Sequence, residues 1–324
     1  MVTFVDRHRS DFNFNNSAGS FADILWRDSA GNDAMWLMNS NTATTITALP
    51  FVTPDWHFKA AADFDEFGNG DSDILWQNDN GALVLWQMQG ATVAAVNALP
   101  NPGPTWHVVG DDDFNADSAD DIFFQNDNGS LALWTITSAS TPTITGMFAG
   151  IQNPGPTWHV VGTGDTSDDF KAGILWQNDN GTLALWKNPT FAAGTFVFNT
   201  VAALPTVDPS WHVKGMQDIN GDFRADIVFQ NDNGAVVVWE MGGADGTTIL
   251  SANLVNLNPG PTWHIVGLRD MNNDAHIDML FQNDNGTAAV WENYQSLGGG
   301  LATFNTVLPI IPNPNPNGHV WDLL

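Results

Sequence analysis

Three acidic stretches of the chain repeat the spacing Asp-x-Asn-x-Asp-x-x-x-Asp. Alternate residues of a short loop can turn their oxygens inward, and a final carboxylate can close the shell, so the pattern is typical of a Ca²⁺ site. The alternative is that Asp and Asn side chains only cap turns of the backbone. The predicted metal ligands are Asp113, Asn115, Asp117, Asp121, Asp218, Asn220, Asp222, Asp226, Asp270, Asn272, Asp274 and Asp278.

Three further copies depart from this spacing. One copy contains Asp165, Ser167 and Asp169 but has Gly173 in place of the closing carboxylate. The copies within residues 63–73 and 11–23 carry insertions. We therefore predict calcium in the three intact loops and not in these.

A second polar set combines a Trp-His pair with the pentapeptide Gln-Asn-Asp-Asn-Gly, and each recurs five times. Asn-Gly between two apolar runs predicts a tight hairpin turn, which requires positive φ. The turn does not require the preceding Gln and Asn, so their repetition is our main indication of a ligand. The alternative is architectural, with Trp packed between blades and His bonded to a neighbouring backbone group or carboxylate. A ring of histidines is not expected to bind a transition metal, because identical ligands would lie too far apart.

Aromatic side chains beside amides, an imidazole and a carboxylate suit a neutral polyhydroxylated ligand, because the ring covers C–H groups and the polar groups bond hydroxyls. Repeated sites would also add avidity. The predicted ligand-binding residues are Trp56, His57, Gln77, Asn78, Asp79, Trp106, His107, Gln125, Asn126, Asp127, Trp158, His159, Gln177, Asn178, Asp179, Trp211, His212, Gln230, Asn231, Asp232, Trp263, His264, Gln282, Asn283 and Asp284.

The elements that position these residues are short strands repeated every 50 to 55 residues. Four antiparallel strands per repeat, without a helical period, predict an all-β, six-bladed β-propeller forming one domain over residues 1–324. Blade 1 is expected from residues 11–48 together with 318–324, and this C-terminal strand would close the ring. Blades 2 to 6 begin near residues 56, 106, 158, 211 and 263. Blade 1 has Gly318 for Trp and an altered turn from Arg27, so no ligand site is expected there.

The stretch from Asp113 to Asp121, followed by a short apolar strand, resembles the FG-GAP or VCBS repeat of integrin-like β-propellers, and the resemblance covers essentially the whole chain. It implies that the acidic loop between the first two strands of a blade binds a mostly structural calcium ion. The family includes adhesion proteins, propeller lectins and modules attached to enzymes. The Gly-Ala-Pro part of the family signature is absent, and Trp-Gln-Asn-Asp-Asn-Gly takes its place.

A net charge of −27 argues against nucleic acid and anionic membranes as partners. The chain has no cysteine and no run of transmembrane length, so no membrane insertion is expected. No apolar leader is visible at the N-terminus. We expect a secreted or cell-surface protein whose signal was removed or that uses a leaderless route, and a cytoplasmic location stays open.

The residues together predict a lectin with multivalent sites for a monosaccharide, a methylated sugar or a related polyol. The alternative is an adhesion or scaffold propeller that binds a protein partner. We do not expect an enzyme, because the polar groups are spread evenly over the copies and no single carboxylate pair or nucleophile stands out. Oligomerisation is left open.

Overall fold

The structure is a computed structural model that describes residue 14 and residues 21–64, 71–137, 142–192, 195–274, 276–314 and 321–323. Over these ranges the chain is all-β and contains no helix. Accordingly, no helix in these ranges could cross a membrane.

The strands follow the apolar runs, and the turns follow the Asn-Gly and Asp-rich segments between them. In chain order they are β1 (Ile24–Asp28), β2 (Asp33–Asn39), β3 (Thr42–Ala48), β4 (Trp56–Ala62), β5 (Asp73–Asn78), β6 (Leu83–Gln89), β7 (Thr92–Leu99), β8 (Trp106–Asp112), β9 (Asp121–Asn126), β10 (Leu131–Thr137), β11 (Thr143–Ile151), β12 (Trp158–Gly164), β13 (Gly173–Asn178), β14 (Leu183–Ala192), β15 (Thr195–Leu204), β16 (Trp211–Gln217), β17 (Asp226–Asn231), β18 (Val236–Gly242), β19 (Thr248–Val255), β20 (Trp263–Arg269), β21 (Asp278–Asn283), β22 (Ala288–Gly298), β23 (Leu301–Pro309) and β24 (Trp321–Leu323).

Each repeat forms one four-stranded antiparallel sheet, as expected for the blades of a β-propeller. Blades 2 to 6 each use four consecutive strands, beginning with β4, β8, β12, β16 and β20. In blade 1 the order is β24-β1-β2-β3, because the C-terminal strand pairs antiparallel with β1. Blades 5 and 6 are joined into one eight-stranded sheet where β19 and β23 pair in parallel.

The core lies between the sheets, and each buried cluster combines residues of neighbouring blades. Phe64 and Leu85 of blade 2 pack with Ile122 and Trp134 of blade 3. Equivalent clusters join blades 3 and 4, blades 4 and 5, and blades 5 and 6. One further cluster holds residues of blades 6, 1 and 2 together. The second and third strands of each blade are covered on both faces, which explains why their sequences are continuously apolar.

The first strands of neighbouring blades approach closely, and glycine makes this possible. A Cβ atom added at Gly110 would lie 2.8 Å from Thr163 Cγ2 of the next blade. At Gly162 it would lie 3.1 Å from Met216 Cβ. Real Cβ atoms rarely come this close, so a larger residue would push the inner strands apart.

Candidate functional site

The predicted ligand-binding residues do come together, at one end of each sheet. In blade 3 Trp106 pairs with Asn126 and His107 pairs with Gln125 across β8 and β9. Blades 2, 4, 5 and 6 repeat the same register. The acidic loops connect the opposite ends of the same two strands. The Trp-His pairs and the Gln-Asn-Asp-Asn-Gly turns therefore form one rim, and the acidic loops form the other.

Four of the five glutamines of this rim are buried, and four connect neighbouring blades. Gln77 is 3% exposed; its Nε2 donates to Trp106 O of the next blade at 2.7 Å, and its Oε1 accepts from Val108 N at 3.0 Å. Gln230 makes the same two bonds to the strand that begins at Trp263. Gln125 and Gln177 likewise donate across their interfaces. The amide that we took to exceed structural need therefore has a structural role.

The two asparagines of each turn also have backbone partners. Asn78 Oδ1 accepts from Asn80 N at 3.1 Å, and Asn80 Oδ1 accepts from Ala82 N at 2.8 Å. Asn78 Nδ2 donates to Asp55 Oδ2 at 2.7 Å. The following Gly81 has φ of 87°, and a Cβ there would lie 2.3 Å from the backbone of Gly103. The turn therefore requires these asparagines and this glycine, and the glycine lets the loop at Gly103 pack against it.

The histidine and aspartate of each rim unit bond to each other in solvent. His57 Nε2 lies 2.7 Å from Asp79 Oδ1, and the same pair recurs in blades 3 to 6 at 2.7 to 2.8 Å. An ionised carboxylate only accepts, so the imidazole N–H is the donor. The histidine side chains are 48 to 54% exposed and the aspartates 62 to 70%. These pairs are the part of the predicted site that remains accessible.

The tryptophans that open the repeats are partly buried against the inter-blade clusters. Trp106 packs on the cluster of blades 2 and 3, and Trp158 packs on that of blades 3 and 4. The architectural alternative therefore describes the Trp positions, and it also expects the observed His–Asp bonds. The His–Asp pairs nevertheless stay exposed, so they are the part of the predicted site that a ligand could reach.

Blade 1 uses a different residue for the same connection. Arg27 takes the place of the glutamine and donates to Trp56 O at 2.8 Å and to Val52 O at 3.0 Å. Its guanidinium lies 5.0 Å from the ring centroid of Trp76, a cation–π contact. Both side chains carry more than one N–H group and donate to the next blade. The replacement of glutamine by arginine in blade 1 was therefore the sequence signal that this position connects blades.

The first aspartate of each acidic loop caps the loop backbone. Asp113 Oδ1 accepts from Ala116 N at 2.6 Å, and Oδ2 accepts from Ser118 N at 2.8 Å. Asp218 accepts from Gly221 N and Phe223 N in the same way. Burial raises the pKa of both carboxyls, partly offset by these backbone donors. The turn-capping alternative is therefore present in the structure.

The closing aspartates are buried and bond to backbone inside their own blade. Asp121 is 0% exposed and accepts from Ile136 N at 3.0 Å, beside an irregularity in the pairing of β10 with β11. Asp226 accepts from Met241 N at 2.9 Å, and Asp278 accepts from Met271 N at 2.9 Å. Burial raises the pKa of Asp121 to about 9 and those of Asp226 and Asp278 to about 8.

Two observations bear on whether these loops suit a calcium ion. In the described part of the chain, no three His, Asp or Glu side chains are placed together to hold one metal ion. Yet Asn115 Oδ1 and Asp278 Oδ1 are buried with no hydrogen-bond partner in that part. A carboxylate also has about four acceptor positions, so an oxygen that caps a turn keeps a lone pair for a cation. The donor chemistry fits Ca²⁺, and calcium binding stays a prediction.

In blade 4 a lysine of β14 reaches the acidic loop. Lys187 is 2% exposed, and its Nζ donates to Asp245 O and to Thr166 Oγ1. Burial lowers the pKa of Lys187, whereas Asp169 and Asp165 raise it. The equivalent positions in blades 5 and 6 hold Glu240 and Glu292, each of which follows the third-strand tryptophan. Blade 4 therefore exchanges a carboxylate for an ammonium group, in keeping with its lost closing aspartate.

In the N-terminal copies, Asp11, Asn13, Asn15, Asp65 and Asn69 lie outside the described residues. The closing residues of these copies are described and behave like the others. Asp23 accepts from Met38 N at 2.7 Å, and Asp73 accepts from Met88 N at 2.9 Å.

The outer strands form a surface that sequence reasoning missed. None of the six, β3, β7, β11, β15, β19 and β23, contains a charged residue, although the chain carries a net charge of −27. In five blades the residue opposite the third-strand tryptophan is apolar and 50 to 61% exposed. These residues are Ile46, Val96, Met147, Val201 and Val307. The sequence signal for this surface was that charged residues occur in the loops and in the first three strands of the blades but not in the fourth.

A cleft of about 290 Å³ opens between blades 1 and 2 beside this surface. Its walls include Phe51, Trp56, Trp86 and Val96. Trp76 also lines it, and the buried indole N–H of Trp76 has no hydrogen-bond partner among the described residues. The cleft is therefore walled by aromatic and aliphatic side chains, and the buried N–H of Trp76 repeats that of Trp26 and Trp176.

Comparisons with known proteins add little to this geometry. No protein-family model matches the chain, and no curated protein matches it. Membership of the FG-GAP or VCBS family therefore stays a prediction. Among solved structures, the chain is similar to one in the crystal structure of the mitotic checkpoint complex, with 12% identity and a TM-score of 0.44. The match covers 91% of this chain and 77% of the other. At this TM-score the likeness carries no argument about function.

Proposed function

We propose that this protein is a non-enzymatic scaffold or adhesion propeller that binds a protein partner through its outer strands. The observation that carries the proposal is the uncharged outer surface with an exposed apolar residue repeated in five blades. Single exposed apolar residues are ordinary on a protein surface, so the proposal depends on their recurrence at one position together with the missing charge. Depletion of charge at the centre of a patch is also characteristic of protein interfaces.

The rim offers less to a ligand than its composition predicts. Its glutamines and asparagines are engaged in connecting blades and shaping turns, so a sugar would have to compete with bonds inside the protein. The remaining His–Asp side chains are 48 to 70% exposed. Concave sites bury most of a small ligand, so side chains this exposed are a poorer match to such a site. A lectin that uses the rim is thus the weaker proposal.

The scaffold is proposed to be a closed ring of six blades. Three features support this. The strand β24 pairs with β1 from Trp26 to Asp28. One buried cluster contains Leu280 and Val290 of blade 6 together with Leu25 of blade 1. The bond from Ala22 N to Asp270 O also repeats, at the junction of blades 6 and 1, a bond found between four other pairs of neighbouring blades.

Calcium is proposed as a structural ion in the loops of blades 3, 5 and 6. The unpartnered oxygens of Asn115 and Asp278 support this, because a cation would satisfy them. An ion there would also reduce the repulsion among buried carboxylates. Extracellular calcium modules bind in the range of about 10⁻⁴–10⁻³ M, which fits a secreted or cell-surface protein.

The scaffold proposal is tested with variants that change the outer surface of blades 3 and 4. The purified chain is used to capture a partner from its source, and the partner is then purified and titrated by calorimetry. Met147→Lys combined with Val201→Lys should weaken binding at least about tenfold, because both residues are more than half exposed at the proposed interface. Matched rim variants, Asp127→Asn with Asp179→Asn, should bind like wild type. Loss of binding in the rim variants alone would overturn the proposal.

A second candidate function rests on the cleft between blades 1 and 2. Its tryptophan walls suit the apolar face of a monosaccharide, a methylated sugar or a polyol. A glycan array would identify the ligand. Phe51→Ala should then reduce its affinity, whereas Phe223→Ala, an equally exposed phenylalanine elsewhere, should not. An array without binding above background would reject this candidate.

A further inference from the structure

Over the described residues, the outer strand of blade 2, β7, is a sheet edge without a paired strand on its outer side. Its sequence from Thr92 to Leu99 contains no charge and no proline. It pairs with β6 on one side, and no described strand pairs with its other side. Natural sheets usually protect such an edge with lysine, proline or a covering segment, because its free N–H and C=O groups accept another strand.

The chain itself shows what an outer edge accepts. The outer strand of blade 5 pairs in parallel with that of blade 6, Leu254 with Leu301 and Val255 with Ala302. The bonds are regular, with Leu254 N donating to Gly300 O at 2.8 Å. The outer edge of blade 1 is likewise occupied, since Ala43 N donates to Ile311 O at 2.7 Å. Uncharged outer segments of this chain therefore pair with its own outer strands.

Among the six outer strands, β7, β11 and β15 have no paired strand on their outer side over the described residues, and β7 also lacks the aromatic contacts that join β11 and β15. Blades 1, 5 and 6 use the contacts just described. At blades 3 and 4, the long hairpin of β14 and β15 brings Phe191 and Phe196 against Phe148 of β11, at ring distances of 5.2 and 6.3 Å. Over the described ranges, β7 has neither a paired segment nor an aromatic cover.

An apolar patch continues from this edge. Val96 is 61% exposed and Phe51 is 60% exposed, and both line the cleft between blades 1 and 2. Ala98 pairs with Val84 on the same face of the sheet as Val96. A strand added to β7 would therefore gain backbone bonds at the edge and apolar contact beside it, which are the two elements of recognition by strand addition.

We propose that β7 is a self-association edge, to which β7 of a second copy adds antiparallel so that the two blades form one eight-stranded sheet. An isologous contact of this kind requires only that the strand complement itself, which an uncharged Thr, Val and Ala strand does. The inference uses the same outer surface as the proposed scaffold function but needs no other protein. The net charge of −27 per copy opposes association, so salt should strengthen it.

The test is sedimentation equilibrium of the full purified chain at low and high salt. We expect a monomer–dimer equilibrium whose dissociation constant falls as salt rises. Ala98→Lys should raise the dissociation constant at least tenfold, because the dimer would bring a charged lysine from each copy into the paired strands. Ala30→Lys makes the same change on an exposed turn away from any edge and should leave the constant unchanged. Melting curves of both variants confirm folding.

Because the chain lacks cysteine, a single introduced cysteine reports the contact directly. Single cysteines placed in turn at positions 93 to 98 should include at least one that forms an oxidised dimer, since facing residues of an antiparallel pair lie within disulfide reach. Ala30→Cys should not. A chain that stays monomeric at high salt, with no cross-link above the Ala30→Cys control, overturns the inference. If that monomer still binds a partner through Met147 and Val201, the scaffold function stands without it.

Discussion

Replacing Gln77 by leucine distinguishes an inter-blade connection from a ligand contact. Gln77 is 3% exposed and bonds both Trp106 O at 2.7 Å and Val108 N at 3.0 Å. Leucine is similar in size, so the change leaves one buried acceptor and one buried donor of the next blade without partners. Each such group costs about 1–3 kcal/mol, and the added apolar burial offsets part of the loss. We expect a net destabilisation of about 2–4 kcal/mol.

The size of the thermal shift follows from chain length. An unfolding entropy of about 2.1 cal/mol/K per residue gives about 0.7 kcal/mol/K for this chain if it melts as one unit. Gln77→Leu should then lower Tm by about 3–6 °C in calorimetry. Gln89→Leu is the matched control, because Gln89 is exposed at the end of β6 and should shift Tm by no more than about 1 °C.

A different pair of results would refute this reasoning. If Gln77→Leu has the same Tm as wild type but no longer binds a sugar or protein, the amide serves a ligand. The inter-blade bonds then contribute nothing measurable to stability. Asp79→Asn separates the two roles further, because it changes only the exposed His–Asp pair. That pair is worth little to stability, so a binding defect in this variant without a change in Tm would restore the rim as a ligand site.

Three further predictions concern the ring and its charges. Deleting residues 318–324 removes β24, exposes the edge of β1, and should lower Tm sharply or cause aggregation; a truncated chain that melts like the full one would contradict closure. Without calcium, the free energy of unfolding should fall as pH rises from about 4 to about 9. The pKa values of Asp121, Asp226 and Asp278 are raised in the folded state, so the folded state binds more protons than the unfolded state over this window. Melting curves in chelator from pH 5 to 9 measure this dependence of stability on pH, and added calcium should reduce it. Stability that stays constant or rises with pH in chelator would show that these carboxyls are not protonated in the folded state. Lys187→Met should destabilise the chain in chelator and in calcium alike, since the lysine leaves buried oxygens behind whatever the ion; full rescue by calcium would mean that the loop of blade 4 binds the ion too.

The sequence predicted the strands well because each one is marked by an apolar run and a turn signal. In blade 3, for example, the run after the Asn-Gly turn forms β10 from Leu131 to Thr137, and the Trp-His pair opens β8. Antiparallel connections alternate between ends, so chain order alone separates the turns from the acidic loops.

The sequence could not show which polar side chains are already engaged. Gln77 and Asn78 recur for reasons of packing, and recurrence alone does not separate a bond inside the protein from a bond to a ligand. The partner of Gln77 lies about thirty residues away in the next blade, so only the assembled ring reveals it. The acidic loops were ambiguous for a related reason, because capping a turn and binding calcium use the same oxygens.

Repetition and departure carry different information in this chain. What most blades repeat, such as the Gln connection and the Asn-Gly turn, holds one blade against the next. What one blade changes alters the local surface or charge. Arg27 and Phe51 replace the usual residues around the junction of blades 1 and 2, and there the aromatic cleft and the bare edge of β7 meet. Lys187 is the corresponding departure in blade 4. A search for function in a tandem repeat should therefore weigh most heavily the positions where the copies disagree.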